Sequence, residues 1–449
     1  MERMGSPTAL GTEKVWHLLL QYAIPSVIAM TASSLYNITD SIFIGQGVGA
    51  LAIAGLAITF PLMNLAAAFG SLVGVGAATL ISLRLGQRDY SSANHILGNV
   101  FVLNLIFGIS YTLVVLLFLD PILFFFGASN DTIQYAREYL QIITLGNVIT
   151  HMYFGLNALL RATGNPQKSM YATISSVIIN AILAYLFIFG FGWGIRGAAL
   201  ATIIAQTSML IWQIKLFSNK RNFIHFQKGI FRLKRKIVID SLSIGMAPFL
   251  MNTASCVIII LINKGLIKYG GDLEVGAYGI INRVAFLFVM IVMGLNQGMQ
   301  PVAGYNFGAK QIERVNEVLK YTIILATGVL TMGFLMCEFF PHTIASIFTK
   351  DQKLIELVVP GMQIVFIFFP IVGFQMVTSN FFQSIGMARK AIFMSLSRQV
   401  LILLPCLLIL PQFFGVKGVW YSLPTADLLS SIIAAYMLIN QYRKYKITR

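Results

Sequence analysis

Apolar residues in this chain come in long runs separated by short polar breaks. A helix needs roughly 20 mostly apolar residues to cross a bilayer. Measured that way the sequence holds twelve such runs: 15–44, 50–83, 95–119, 132–160, 168–190, 195–217, 237–268, 275–304, 316–340, 354–386, 390–412 and 416–441. Several exceed the minimum, which predicts tilting or extension into the interface. The ends of the long first, second, eighth and tenth runs are the least sharply marked. Composition points the same way: 449 residues that are 57% hydrophobic and 11% charged, with mean hydropathy +0.78, leave too little polar surface for a soluble protein of this size. The expected fold is an all-α polytopic membrane protein with twelve transmembrane helices. Residues 1–14 are polar and lead into apolar sequence without a small-residue cleavage site, so no removable signal peptide is expected.

Charge sets the orientation. Basic residues gather after the even-numbered runs: Arg84 and Arg88; Arg161 and Lys168; Lys220, Arg221, Lys228, Arg232, Lys234, Arg235 and Lys236; Lys310 and Arg314; Arg389 and Lys390; and Arg443, Lys444, Lys446 and Arg449. The other loops hold few, Lys350, Lys353 and Lys417 being the clearest. By the positive-inside rule both termini are cytoplasmic. The net charge of +16 then reads as topogenic rather than as a nucleic-acid footprint, with a secondary fit of residues 228–236 to anionic lipid. Cys256, Cys337 and Cys406 sit inside apolar runs without metal-ligand spacing, as small core residues do.

The two halves of the chain match at a shift of about 222 residues. Pro25 corresponds to Pro248, and Asp40 to Asn263. Leu85-Gly86-Gln87-Arg88 corresponds to Phe307-Gly308-Ala309-Lys310, residues 162–168 to 384–390, and Gly194-Ile195-Arg196-Gly197 to Gly415-Val416-Lys417-Gly418. Each half has six spans, so both copies enter the membrane in the same direction and an axis along the membrane normal should relate two six-helix bundles. The expected division is a cytoplasmic segment at 1–14, an N-lobe at 15–218, a basic linker at 219–236, a C-lobe at 237–441 and a basic tail at 442–449.

Polar residues inside the spans carry the candidate chemistry, because charge at membrane depth usually faces a cavity or a pathway. Asp40 stands near the far end of the first span, in a polar cluster with Tyr36, Asn37 and Thr39. At 1.5 Å per residue it lies about 6 Å inside the outer end, with Asn180 about 15 Å and Thr202 about 10 Å inside theirs. A carboxylate, an amide and a hydroxyl at similar depth suit a hard cation such as Na+, or a carboxyl that takes up a proton. Solvation of Asp40 at the surface, and ordinary interhelical hydrogen bonds from Asn180 and Thr202, are the bland alternative. The second lobe offers Asn263, Lys264, Arg283, Asn296, Gln297, Gln300, Arg398 and Asp427. Asp427, with Arg283, Asn263 and Gln297, could form a second polar site, or it could pair with Arg283 or Arg398. The pairing is the preferred reading. His151 reads as a hydrogen-bonded packing residue. Pro25 and Pro248 are candidate bending points of their helices.

No Gly-x-x-x-x-Gly-Lys-Ser/Thr string is present, so the energy should come from an ion gradient rather than ATP. The five histidines (His17, His95, His151, His225 and His342) are scattered, which argues against an intramembrane enzyme.

As an ensemble these residues resemble the multidrug and toxic compound extrusion (MATE) family over essentially the whole chain. The resemblance rests on the repeat, on Ile24-Pro25, on Asn37-Ile38-Thr39-Asp40 with Phe43-Ile44-Gly45, and on Arg84-Leu85-Gly86-Gln87. Arg161-Ala162-Thr163-Gly164-Asn165-Pro166, Asn282-Arg283, Gln297-Gly298-Met299-Gln300-Pro301 and Tyr305-Asn306-Phe307-Gly308-Ala309 extend it. It implies antiport of cationic or amphipathic compounds against H+ or Na+ by alternating access, with no other cofactor. It also implies residence in the cell membrane, the inner one where there are two, among membrane lipids and as a monomer. Residues matching Asp40, Asn180 and Thr202 form a first-lobe cation site in related members, and many carry a further Asp where this chain has Ala184. That departure leaves Asp40 as the one carboxylate of the set and tilts the expectation from Na+ toward a proton. A flippase or exporter of lipid-linked or amphipathic metabolites is the alternative within transport.

Overall fold

The structure, a computed structural model, describes residues 8–447. Among the described residues it is helical, with no strand. In the first half α1 (Ala9–Thr12) precedes α2 (Val15–Gly47), α3 (Ala50–Gly86), α4 (Tyr90–Leu117), α5 (Leu119–Phe125), α6 (Ile133–Leu145), α7 (Asn147–Ala162), α8 (Pro166–Tyr185) and α9 (Gly194–Ser218). The second half holds α10 (Arg235–Tyr269), α11 (Asp272–Gly308), α12 (Ile312–Phe339), α13 (Pro341–Phe348), α14 (Gln352–Phe366), α15 (Phe369–Ser384), α16 (Ala388–Leu396), α17 (Leu404–Phe414) and α18 (Val416–Ile447). A π-helical turn, Leu186–Gly190, extends α8, and another, Ser397–Leu403, joins α16 to α17.

Ten crossings are single or π-joined helices, and α6–α7 and α14–α15 supply two more as broken spans bent by 54° and 51°. The fourth and tenth apolar runs therefore have the expected extent but not the single straight helix their continuity suggests. In the fourth the break falls at Gly146, where α9 presses so close that a Cβ would stand 2.2 Å from Ile203 Cδ1. In the tenth it precedes Pro370, which has no N–H to continue the ladder. The third span begins five residues before its apolar run because Asp89 caps α4, accepting from the Ser92 N–H at 3.0 Å.

The repeat is visible in the backbone itself. Left-handed residues recur 222 positions apart, Gly49 with Gly271, Arg88 with Lys310 and Gly164 with Gly386. Arg88 and Lys310 are the two described non-glycine residues with positive φ, at 59° and 60°, and each follows the second long helix of its lobe. The short helices α5 and α13 stand in the same relation.

Both described ends of the chain and the turns after even-numbered crossings share one end of the bundle, the basic face; the opposite end is the distal face. The lobes meet where α3 packs on α10 and α2 on α11. Their closest approaches all fall in the halves nearer the basic face, and glycine makes them. A Cβ on Gly76 would stand 2.0 Å from Ser241 O, on Gly245 1.8 Å from Leu72 O, and on Gly86 2.0 Å from Tyr305 O. Gln300 Nε2 donates across the seam to Thr79 Oγ1 at 2.6 Å. Farther in, the rings of Phe69 and Phe249 lie 5.0 Å apart. Glycines of the distal halves, such as Gly47, Gly55, Gly265 and Gly276, meet only their own lobe. The seam is thus sealed toward the basic face, and the lobes diverge toward the distal face.

Helices α2 and α10 straddle this seam. The basic half of α2 packs on the second lobe, where Ala23 and Val27 meet Gly298 and Gly294, while its distal half packs on α8 of its own lobe. In α10, Ser241 and Gly245 face α3, whereas Ser255 beyond them accepts from Gln399 Nε2 at 2.8 Å within the second lobe. Pro25 lies within the stretch of α2 that meets the second lobe, between Ala23 and Val27, and Pro248 lies between Gly245 and Phe249, which both meet α3; each helix continues across its proline.

Candidate functional site

The distal half of α2 brings Asp40 into the first lobe rather than to its surface: the residue is 6% exposed. Asp40 Oδ1 is buried and has no hydrogen-bond partner. That removes the reading of Asp40 as a simply solvated surface group. One turn earlier on the same helix, the Tyr36 hydroxyl lies 2.8 Å from Thr202 Oγ1 of α9. Asn180 of α8 donates through Nδ2 to that same oxygen at 2.9 Å. The single Thr202 proton points back to Ala198 O at 3.2 Å, so Tyr36 must be the donor in its pair. Thr202 thus accepts two bonds and draws α2, α8 and α9 together around one hydroxyl.

Two of the three expected site residues, Asn180 and Thr202, are in direct contact, and Asp40 lies one turn along α2 from Tyr36, which touches Thr202. Tyr139 of α6 is 1% exposed and packs in a cluster with Ile44 of α2 and Ala198 of α9. In the sequence Tyr36 appeared only as a member of the polar cluster around Asp40, and Tyr139 gave no signal. Ala184 is wholly buried, packed with Phe187 and Ala201 in a small apolar cluster. Where a second carboxylate could stand, the wall is hydrocarbon.

An ionised carboxylate with a partnerless oxygen inside a membrane helix bundle is costly. Two changes relieve that cost: a proton on the carboxyl, or a cation beside it. Available oxygens near the set are the Asp40 carboxylate, the Asn180 carbonyl and the Tyr36 and Thr202 hydroxyls. The Thr202 lone pairs are committed to the two hydrogen bonds above, which leaves fewer free ligands than a hard cation prefers. No group of three or more His, Cys, Asp or Glu side chains able to hold a metal occurs among the described residues.

The second lobe is arranged differently. Arg398, in the π-turn, donates through Nε to Asp427 Oδ1 of α18 at 2.6 Å, as the pairing alternative anticipated. Arg283 is exposed on α11 and takes part in none of the ion pairs among the described residues. Gln297 instead reaches across the seam to Met30 Sδ at 3.3 Å, and Asn263 is half-buried on α10. No hydrogen bond or ion pair found among the described residues joins Asp427, Arg283, Asn263 and Gln297 to one another. His151 is buried, its Nε2 at 2.9 Å from Ala66 O, as expected of a packing histidine.

Comparison with known proteins places this architecture. A family model described as MatE matches residues 25–186 and again 244–408, one copy in each lobe. The chain is 28% identical over 426 residues to the multidrug export protein MepA of Staphylococcus haemolyticus, covering 95% of this chain and 94% of that protein. MepA of Staphylococcus aureus strain MSSA476 is also 28% identical, over 435 residues, with 97% and 95% covered. Among solved structures, a complex of the MATE multidrug transporter DinF-BH superposes with a TM-score of 0.89 at 35% identity, covering 96% of each chain. An outward-facing multidrug resistance MATE transporter of the MOP superfamily gives a TM-score of 0.93 over 100% of each chain, and at 23% identity shows the shared fold. Because the family model matches most of the sequence, once in each half of a repeated twelve-crossing bundle, the chain belongs to the MATE family of multidrug efflux transporters.

Proposed function

We propose that the protein is a secondary active exporter that couples expulsion of cationic or amphipathic small molecules to entry of a cation, with Asp40 as the coupling carboxylate and a proton as the coupling ion. The buried, partnerless Asp40 Oδ1 carries the proposal. The enclosing wall at Ala184 and the committed lone pairs of Thr202 support a proton over Na+. Similarity to the MepA multidrug export proteins and to DinF-BH supports the substrate class.

The basic face is cytoplasmic in this reading, by the positive-inside rule, and the structure is an outward-facing form with its cytoplasmic seam closed. Substrate is taken up between the lobes from the cytoplasm. Protonation of Asp40 from outside then favours a rearranged α2 and expels the substrate. Linkage requires proton and substrate to lower each other's affinity. Pro25 and Pro248, each within the stretch where α2 or α10 packs across the seam, are the positions at which those helices would flex.

The test is efflux from proteoliposomes, with a cationic rhodamine dye as the fluorescent probe, under a pH gradient or a Na+ gradient imposed separately. Efflux driven by the pH gradient alone, and lost in Asp40→Asn, is the expected result. Full transport by Asp40→Asn would remove the carboxylate from the mechanism, and a strict Na+ requirement would overturn the proton assignment.

A further inference from the structure

We infer that Arg314 is a positioning residue that holds the basic face closed, by fastening the segment before the first crossing to the opposite lobe. Short helix α1 and the residues after it lead into α2, yet their hydrogen bonds go to the second lobe. Arg314 of α12 donates through Nη2 to Leu10 O at 3.1 Å and to Glu13 O at 2.5 Å. Its Nε donates to Asn306 Oδ1 at 2.8 Å, and Asn306 Nδ2 donates to Leu10 O at 2.9 Å. One guanidinium therefore gathers carbonyls at the C-terminal end of α1, where helix carbonyls lack partners and a positive charge is favoured. The Leu10 side chain is 1% exposed, and Trp16 stacks edge-on with Tyr321 of the same α12 at 5.2 Å.

The pseudo-symmetric position has a counterpart. The segment before α10 is tied to α4, the third crossing of the first lobe, as α1 is tied to the third crossing of the second. Asn99 donates to Arg232 O at 3.1 Å and accepts from the Lys234 N–H at 3.0 Å, while Asn94 accepts from the His225 N–H at 2.9 Å. Each first helix thus enters the membrane from a strap fixed to the far lobe. Of these two sets of bonds, only the Arg314 strap uses a charge, and it is also the more accessible. A crevice of about 500 Å³ lined by Gly11, Thr12, Arg88, Tyr305, Lys310 and Gln311 opens beside it.

Opening the basic face separates the Gly76–Ser241 and Gly86–Tyr305 approaches, and the strap lies across the same seam. Fastened, it favours the closed seam; released, it permits opening. This rests on the alternating-access reading above, but its test does not require transport.

Spin labels at Ser91→Cys on α4 and Lys320→Cys on α12, in a background with Cys256, Cys337 and Cys406 replaced by alanine, report the distance between lobes at the basic face. Removing charge-assisted hydrogen bonds in Arg314→Ala should raise the ratio of long- to short-distance populations on the order of tenfold. Arg314→Lys, which keeps the charge but not the fork, should fall between. If Arg314→Ala does not fold, the lysine variant carries the test. An unchanged distance distribution in the folded variant would mean that the strap travels with the second lobe, and would overturn the inference. Such a result would leave Asp40 coupling untouched, just as failure of proton-driven efflux would leave the distance shift standing.

Discussion

Arg398 and Asp427 form a buried ion pair, with Nε 2.6 Å from Oδ1, and Asp427 is 4% exposed while the Arg398 side chain keeps 29%. Its position inside the second lobe gives the pair a structural character. Asp427→Ala strands the guanidinium and should cost about 3 kcal/mol, the low end for breaking a buried pair because Arg398 is partly solvated. Thermal unfolding in detergent measures this. The double change Arg398→Met with Asp427→Leu should recover most of the loss, since paired apolar groups of similar size often replace a buried ion pair at little cost.

Asp40 behaves in the opposite sense. Its Oδ1 has no partner to lose, so Asp40→Asn should leave unfolding unchanged or raise the midpoint slightly, even as coupled efflux disappears. A fall comparable to that of Asp427→Ala would show that the carboxylate has a structural partner.

The hydroxyl of Thr202 organises three helices, and its loss should exceed that of the groups bonded to it. Tyr36→Phe removes one bond and should cost about 1 kcal/mol. Thr202→Val leaves both the Asn180 amide and the Tyr36 hydroxyl unpaired in a buried setting and should cost about 2–3 kcal/mol. Reversal of that order in thermal unfolding would refute Thr202 as the common acceptor.

The glycine seam gives a steric prediction. At Gly245 a Cβ would stand 1.8 Å from Leu72 O, a backbone atom that cannot turn aside. Gly245→Ala should therefore force the lobes apart at the basic face, read as lengthened spin-label distances there, whereas Gly279→Ala, with nothing within 4 Å, should leave them unchanged.

At the start of α4, hydrogen bonding from the Ser92 side chain, and then from its N–H, holds the Asp89 carboxyl below its usual range against its partial burial, with help from Arg84 and Lys234. A carboxyl depressed by folding contributes stability at pH values above its ordinary range and loses it as the pH falls through the folded value. Asp89→Ala should cost about 1 kcal/mol near neutrality, as loss of an N-cap does, and the difference from the parent should shrink in acid. Unfolding measured across pH checks both statements.

Much of this was legible in sequence because the membrane imposes long apolar runs and the repeat imposes register. The 222-residue shift read from Arg88 and Lys310, or from Gly164 and Gly386, reappears as matching left-handed backbone. Rise per residue placed Asp40, Asn180 and Thr202 in the outer halves of their spans, and the structure bonds Asn180 to Thr202. Helix count does not reveal bends: at the break Gly146 meets Ile203, far along the chain. Asp427 had two arginines in reach on paper, and only the π-turn decided for Arg398. The strap was invisible for a similar reason. Its acceptors are main-chain carbonyls of Leu10 and Glu13, which no side-chain pattern announces.

Helix α2 has one more consequence. Its 33 residues make a rod about 50 Å long, anchored at one end under Arg314 and carrying Asp40 near the other. Asp40 and the segment fastened by Arg314 therefore sit toward opposite ends of one piece of backbone, which runs as a single helix past Pro25. If the proposed coupling operates, communication between the two membrane faces would need no relay of neighbouring side chains, because one rod reaches both.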